Sequence, residues 1–367
     1  MTLAQIAERA SVSVATVSKV INGRPDVSQQ TRDLVLDLMR QYNYGGNRDD
    51  LRAYPAVELF FGFERLSIYH IGIIQSVVDA GAREGVAVMV GRRGGLDPAA
   101  DPAAWARGLA AAGRRAVIAV TANTLSPEIV EALNRVRLPV VLLDPESLPD
   151  GLTVSVGATN FAGGNAAATH LLSLGHRRIA YLGGTEHAWS NQARLHGFRS
   201  AMEAAGVLIP GELIRHAGTF HAAEGVEHGG RLLAVDPAPT AVFAASDELA
   251  AGVIEAARLR GLRVPDDLSV VGFDNTPLAE VISPPLTTVH GPVPEMGAVA
   301  LRTALRLAAA EDIDSRHVEL ATRLVVRAST RELPAPSDTT HPEPAGHPAG
   351  KGADGTDGQA CSVRPRD

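Results

Sequence analysis

From about residue 56 to 333 the chain alternates short apolar runs with amphipathic stretches, and that alternation leaves few folds open to it. The runs AVELFF, VAVMV, AVIAV, PVVLL, RIAYLG, AVFAA and SVVGF are apolar almost throughout, not at every second residue. A strand of this kind needs both faces covered, as in a parallel sheet between helices. Pro127–Val136, Gly163–Leu174, Arg194–Ala205, Leu249–Arg260 and Glu295–Ala309 lie between the runs and place apolar residues at helical spacing. The pattern predicts parallel sheets with helices on both faces. The stretch is long for one such sheet, so two α/β lobes with a cleft between them are expected. A hydrophobic content of 45% in 367 residues is ample for the cores.

Residues 1–44 follow a different rule. Thr2 and Gln5 fit a capping box that opens a helix over Leu3–Ala10, with Leu3, Ile6, Ala7 and Ala10 on one face. Ser13 is placed to cap a second helix, Val14–Ile21, which Asn22-Gly23 ends. Ser28 is placed to cap a third, running to about Tyr42 with Val35, Leu38 and Met39 inward. Two short helices joined by a tight turn and braced by a third predict a helix-turn-helix. Residues 45–55 read as a linker and 334–367 as a disordered tail, rich in Pro, Gly, Thr, Asp and His with no apolar face.

The net charge of −7 excludes a nonspecifically basic nucleic-acid coat, so contact with DNA has to be local. Residues 1–53 hold seven Lys/Arg against six Asp/Glu, which permits such contact without requiring it. If Val17, Val20 and Ile21 pack inward, then Val14, Ala15, Ser18 and Lys19 face out. Val14 and Ala15 then suit a thymine methyl, and Lys19, one turn on, suits guanine O6/N7. Ser13, Thr16, Ser18, Asn22, Ser28 and Thr31 suit phosphates, which fix register without reading sequence. On composition alone, a small helical bundle that caps its own helices fits equally well.

The stretch TLAQIAERASVSVATVSKVINGRPDVSQQTRDLVLDLMRQYNY resembles the head of the lactose-repressor (LacI) family over its whole length, with VSVATVSKVING and VSQQTR as its most specific part. The resemblance implies operator double-stranded DNA as partner, with Val14, Ala15 and Lys19 as base readers and Thr2 among the positioning residues. Lys19 stands where the family usually has Arg, which reduces a bidentate guanine contact to a point contact. The linker YGGNRDDLRA departs further. Gly46 replaces a usual proline, Asp49 and Asp50 are acidic, and Ala53 stands where a leucine wedges into the minor groove. Leu51 is a substitute wedge by a shift of register, and a flexible tether is the other reading.

In the core, the residues that follow strands are Arg194, Phe220, Ser246, Asp247 and Asp274. Ligands of open α/β sheets sit at the carboxyl ends of strands. An aromatic face with one Arg and one or two Asp suits a sugar, through stacking and charge-assisted bonds to hydroxyls. Asp247 also reads as a helix N-cap. The segments GATNFAGGNAAATHLLSLGHRRIAYLGG, RLHGFRSAMEAAG, PTAVFAASDELAAGV and RVPDDLSVVGFDNTPLAEVISPPLTTVHGPVPEMG resemble the family's effector domain in its usual order, from about residue 56 to 331. This implies a two-lobed, periplasmic-binding-protein-like (class I) core whose pocket takes Arg194, Phe220, Ser246 and Asp274. Ser246 stands for a common Asn, and Thr159 for the Asp of an Asp-Asn pair, which implies a different hydroxyl pattern in the ligand. Phe63, Asn123 and Asp144 are the first-lobe candidates.

The rest of the sequence narrows the class. Cys361 is the single cysteine, so neither a disulfide framework nor a thiolate metal site forms. His176 lies in a helix-to-strand turn and reads as structural. No nucleophile elbow, paired-carboxylate constellation or metal motif is present, so neither an enzyme nor a cofactor is expected. The N-terminus lacks the features of an export signal, and no apolar run is long enough to span a bilayer, which points to the cytoplasm. The expected protein is a homodimeric, ligand-responsive transcription regulator, a repressor of carbohydrate-utilisation genes released by a sugar effector. A two-lobed sugar-binding protein without DNA regulation is the alternative.

Overall fold

A computed structural model describes residues 3–21, 24, 27–41, 55–62, 65–92, 99–120, 125–145 and 153–333. Thr2, Asn22, Leu51, Phe63, Asn123, residues 45–54 of the linker and the tail after Leu333 lie outside the described residues.

Three helices form the head: α1 (Leu3–Arg9), α2 (Val14–Ile21) and α3 (Gln29–Gln41). Ser13 Oγ accepts from Thr16 N at 3.0 Å and starts α2, and Ser28 Oγ accepts from Thr31 N at 3.2 Å in the first turn of α3. Such bonds satisfy amides that have no partner within the helix. Ile6, Ala7, Ala10, Val17, Val20 and Val35 close a small core shared by all three helices, with Leu38 and Met39 against it.

Lobe 1 begins with β1 (Ala56–Phe61), α4 (Ile68–Glu84), β2 (Ala87–Arg92), α5 (Pro102–Ala111), β3 (Arg114–Val120), α6 (Pro127–Arg135), β4 (Val140–Leu143) and β5 (Val154–Ala158). Lobe 2 follows with α7 (Asn160–Ser173), β6 (Ile179–Gly183), α8 (Trp189–Ala204), β7 (Ile214–His216), α9 (Ala222–Leu232), β8 (Ala241–Ala244), α10 (Asp247–Leu259), β9 (Ser269–Asp274), α11 (Leu278–Val281) and β10 (Thr287–His290). The chain then returns to lobe 1 with α12 (Val293–Ala308) and β11 (His317–Leu320), and ends in lobe 2 with β12 (Arg323–Val325).

The two sheets run β11-β5-β4-β3-β1-β2 and β12-β10-β9-β8-β6-β7. Every pairing is parallel except the edge strand β12, which is antiparallel to β10. The apolar strands are buried on both faces, as their composition demands. In β1, Val57, Leu59 and Phe61 pack with α4 and α12, while Phe60 joins Trp105, Ile129 and Leu133 of α5 and α6. In lobe 2, Ala180 and Leu182 pack with α9 and α10, and Tyr181 with Leu171, Leu195 and Phe198 of α7 and α8.

Three segments cross between the lobes, and two of them are stitched together. Thr159 N donates to Leu320 O at 2.9 Å, and Thr322 N donates to Thr159 Oγ1 at 3.0 Å. Some elements were not visible in the apolar pattern. β10, β11 and β12 are short and carry Thr, His, Glu or Arg, and α5 is rich in Ala on every face. α8 starts at Trp189, so Arg194 sits in its second turn and not at its start, because the polar residues Ser190, Asn191 and Gln192 hid the first turn from a reading of periodicity.

Candidate functional site

α2 divides as its sequence requires. Val17 and Val20 are buried, whereas Val14 is 49% exposed and Ala15 and Lys19 are exposed beside it. These three present one outward face. Ser18 and Thr16 are half-buried at its margin, and Thr16 Oγ1 lies 2.9 Å from Ser13 Oγ. Ser28 Oγ lies 2.8 Å from Thr31 Oγ1, so four of the hydroxyls named for phosphates, Ser13, Thr16, Ser28 and Thr31, are grouped at the first turns of α2 and α3. Amide-rich helix starts of this kind favour anions.

Between the lobes lies a cavity of about 530 Å³, lined from both sides. Arg194, Phe220, Ser246 and Asp274 line it, and so does Asp144. Its floor is built around Arg194. The close approach of α7 and α8 makes this possible, because a Cβ on Gly164 would overlap the carbonyl of Arg194 and one on Gly197 that of Phe161. Arg194 Nε donates to Asn160 Oδ1 at 2.8 Å and Nη1 to Ala245 O at 2.5 Å, while Nη2 stands 3.5 Å from Asp274 Oδ1. Its guanidinium lies 3.7 Å above the centre of the Phe273 ring. With the side chain 6% exposed, this cation is locked in place.

Two acids complete the floor. Tyr69, in the first turn of α4, donates from its hydroxyl to Asp144 Oδ2 at 3.0 Å. Burial pushes the Asp144 carboxyl up, against the pull of Arg194 and the Tyr69 hydrogen bond. Burial pushes Asp274 well up too, helped by the charges of Asp247, Asp144 and Glu248 and opposed by Arg194. Tyr69 is raised by burial and by the same two acids. Asp144 and Asp274 hold φ values of 54° and 103°, conformations that side chains rarely adopt and that cluster at ligand sites. Such carboxyls can accept from hydroxyls and, when protonated, donate to them.

Phe220 lies against Gly184, where any Cβ would strike its ring. Ser246 is the N-cap of α10; its Oγ accepts from Leu249 N at 3.1 Å and donates to Phe220 O at 3.1 Å. Asp247 is a correction to the sequence reading. Its carboxylate is fully buried behind the cavity and is not the cap. Oδ2 accepts from Thr276 N at 2.6 Å and Thr276 Oγ1 at 2.9 Å, and Oδ1 accepts from Thr288 Oγ1 at 2.5 Å. With its oxygens engaged by the fold, Asp247 holds the turn after Asp274 and is not among the residues that line the cavity. His176 is structural as expected, bonded near Thr240 and Ser269 at 2.9 and 3.0 Å.

Arg65, Ser67, Tyr69, His70, His221 and Glu248 also line the cavity and went unnamed in the sequence. Ser67, Tyr69 and His70 open a helix, and nothing in their spacing says that its first turn meets the other lobe. His70 Nδ1 accepts from Ser67 N at 3.0 Å, and burial, helped by His221, lowers it to about 4. The folded protein thus resists a proton that the unfolded chain accepts near pH 6.5, so this contribution is complete above that pH and is lost as pH falls towards 4. The loss amounts to at most about 3.4 kcal/mol. His70→Asn should flatten the pH dependence of the melting temperature between pH 6.5 and 4. An unchanged slope would show that His70 does not titrate in this way.

Among the described residues no helix is long and apolar enough to cross a membrane, and no group of three acidic, His or Cys side chains is placed to hold a metal. Residues 2–47 match the model for bacterial regulatory proteins of the lacI family, and residues 168–330 that for a periplasmic binding protein-like domain. The chain is 35% identical to the HTH-type transcriptional regulator DegA of Bacillus subtilis, over 90% of this chain and 98% of that one. It is 30% identical to catabolite control protein A of Priestia megaterium, over 90% and 99%. Among solved structures it is similar to the Lac repressor dimer bound to operator and the anti-inducer ONPF, with 26% identity, a TM-score of 0.73 and coverage of 90% and 99%. It is also similar to the transcriptional regulator CelR in complex with cellobiose, with 30% identity, a TM-score of 0.67 and the same coverage. With its helix-turn-helix head, its two-lobed core and these relatives along nearly its whole length, the chain belongs to the LacI family of DNA-binding transcription regulators.

Proposed function

We propose that this regulator represses carbohydrate-utilisation genes and releases its operator when an uncharged sugar enters the cleft. The observation that carries the reading is the floor around Arg194. A fixed cation, two raised carboxyls from opposite lobes, a phenol and the Phe220 ring offer a polyol both hydrogen bonds and an apolar face. Similar proteins are described with cellobiose and with ribose. In the head, Val14, Ala15 and Lys19 read bases while Ser13, Thr16, Ser18, Ser28 and Thr31 position the phosphates.

The active form is a homodimer, which places two copies of α2 in successive major grooves. Exposed apolar side chains of both lobes, Ile71 and Val78 of α4, Met89 and Val90 of β2, and Leu259 and Val281, fit a second copy better than water. Its place of action is the cytoplasm, where its DNA is. No cofactor enters this scheme.

Melting in the presence of neutral pentoses, hexoses and disaccharides tests the pocket, and gel retardation with DNA upstream of the gene tests the head. A sugar held at 100 times its Kd should add about 2.7 kcal/mol. Asp274→Asn, which leaves Arg194 an oxygen to face, should reduce sugar affinity at least about tenfold, the loss of one hydrogen bond from a buried carboxyl, and leave operator affinity intact. Lys19→Ala should do the reverse, weakening the operator about tenfold or more. No retardation of any fragment at low salt refutes the DNA reading, and undiminished sugar binding by the Asp274 variant refutes the pocket.

A further inference from the structure

Two helices, one from each lobe, turn their first residues towards one carboxylate. Glu248 is the second residue of α10 in lobe 2, and its Oε1 accepts from the backbone N–H of Ile68, the first residue of α4 in lobe 1, at 2.9 Å. Its Oε2 stands 3.2 Å from His221 Nδ1, in the loop that carries Phe220. The side chain is 17% exposed. An N–H in the first turn of a helix has no acceptor within that helix. Ser67 Oγ takes the N–H of His70, which leaves that of Ile68 to a partner from outside. The starts of α4 and α10 both carry partial positive charge, so a carboxylate between them is favoured from two sides.

We infer that Glu248 is the latch of the cleft: by accepting from the first amide of α4 it holds the two lobes closed, and through that arrangement it sets the affinity for the effector. Asp144 and Tyr69 belong to lobe 1, Arg194 and Asp274 to lobe 2, and a small ligand meets all four only when the lobes are together. The apparent affinity is scaled by the population of that closed state. Glu248 is therefore a positioning residue, and the latch goes beyond the proposed sugar response.

Position 68 offers an uncommonly clean test. Ile68→Pro deletes the donor, and proline is well tolerated as the first residue of a helix. Ser67, at φ −91° and ψ 173°, already has the extended backbone that a following proline requires. Ile68 is 37% exposed, and Glu248→Ala, which keeps this side chain, separates the lost donor from any lost packing. Glu248→Ala deletes the acceptor, and Glu248→Gln restores one.

The first readout needs neither sugar nor DNA. Exchange of the Ile68 amide with solvent should speed up at least about tenfold in Glu248→Ala and recover in Glu248→Gln. The amide of Ile71, bonded to Ser67 O within α4, should not change. A general loss of stability would move both. The second readout is the distance across the cleft between spin labels on Glu131→Cys and Arg231→Cys in a Cys361→Ser background diluted with unlabelled protein. Glu248→Ala and Ile68→Pro should each lengthen it, and the double variant should lengthen it no further, since both remove the same bond. A sugar that shifts the melting of the parent protein should bind either variant about tenfold more weakly. Unchanged Ile68 exchange in Glu248→Ala, an unmoved distance in both variants, or undiminished sugar affinity overturns the latch.

Discussion

Arg194→Ala should unfold the protein at a temperature lower by on the order of 10 °C, which differential scanning calorimetry will record. The side chain is almost wholly buried and gives hydrogen bonds to Asn160 and to the carbonyl of Ala245, besides facing Asp274 and Phe273. Its removal leaves a carboxyl in a dry site without its cation, a loss of about 3–5 kcal/mol for a broken buried pair. In a domain of this size each kcal/mol corresponds to about 2–4 °C. The defect should deepen as pH rises. Without Arg194 the Asp274 carboxyl, already raised by burial, is raised further, and the folded state then holds its proton more tightly than the unfolded chain does. Stability from such a group is present at low pH and declines as pH climbs. Combining Arg194→Met with Asp274→Asn should recover part of the loss by removing the orphaned charge. Equal damage from the double and the single variant would show that the pair is not what holds the floor together.

Asp247→Ala should be nearly as damaging, although this residue does not line the cavity. One amide and two hydroxyls, from Thr276 and Thr288, then lose their acceptor in the interior, at about 1–3 kcal/mol for each unsatisfied group. The turn from Asp274 to Thr276, whose first two residues hold positive φ, loses its anchor, and sugar binding should fall with it. Asp247→Asn should separate shape from charge. Burial raises the Asp247 carboxyl to about 6, against the hydrogen bonds of Thr288 and Thr276. The wild-type contribution is therefore full below about pH 4 and declines as pH rises to about 6, a difference of up to about 3 kcal/mol. The Asn variant should lose that slope while keeping most of the fold, as seen in melting temperatures across this range. A slope that persists unchanged would mean that Asp247 does not titrate there.

These two residues also show how far a sequence reaches. Both follow strands, both carry charge, and the linear pattern ranks them alike; only the packing separates them. Arg194 faces the cleft, held there by Asn160, the carbonyl of Ala245 and Asp274, whereas Asp247 turns away because Thr276 and Thr288 meet it inside. The head was more legible. Its burial follows from helical period alone, so Val17 and Val20 fell inside and Val14, Ala15 and Lys19 outside, as the spacing requires.

The sequence by itself determined the local order: three short helices, the second and third capped by Ser13 and Ser28, then apolar runs that only parallel sheets can bury, and so two lobes with a cleft at the carboxyl ends of their strands. Periodicity and capping are local forces, and they leave local marks. The tertiary structure alone decided which side chains share the cleft. Tyr69 reaches Asp144 across 75 positions because α4 and the end of β4 meet at one edge of lobe 1, and Glu248 meets Ile68 across 180 because the two lobes bring the starts of α10 and α4 face to face. A hydrogen bond between such positions leaves no period in the chain that carries it.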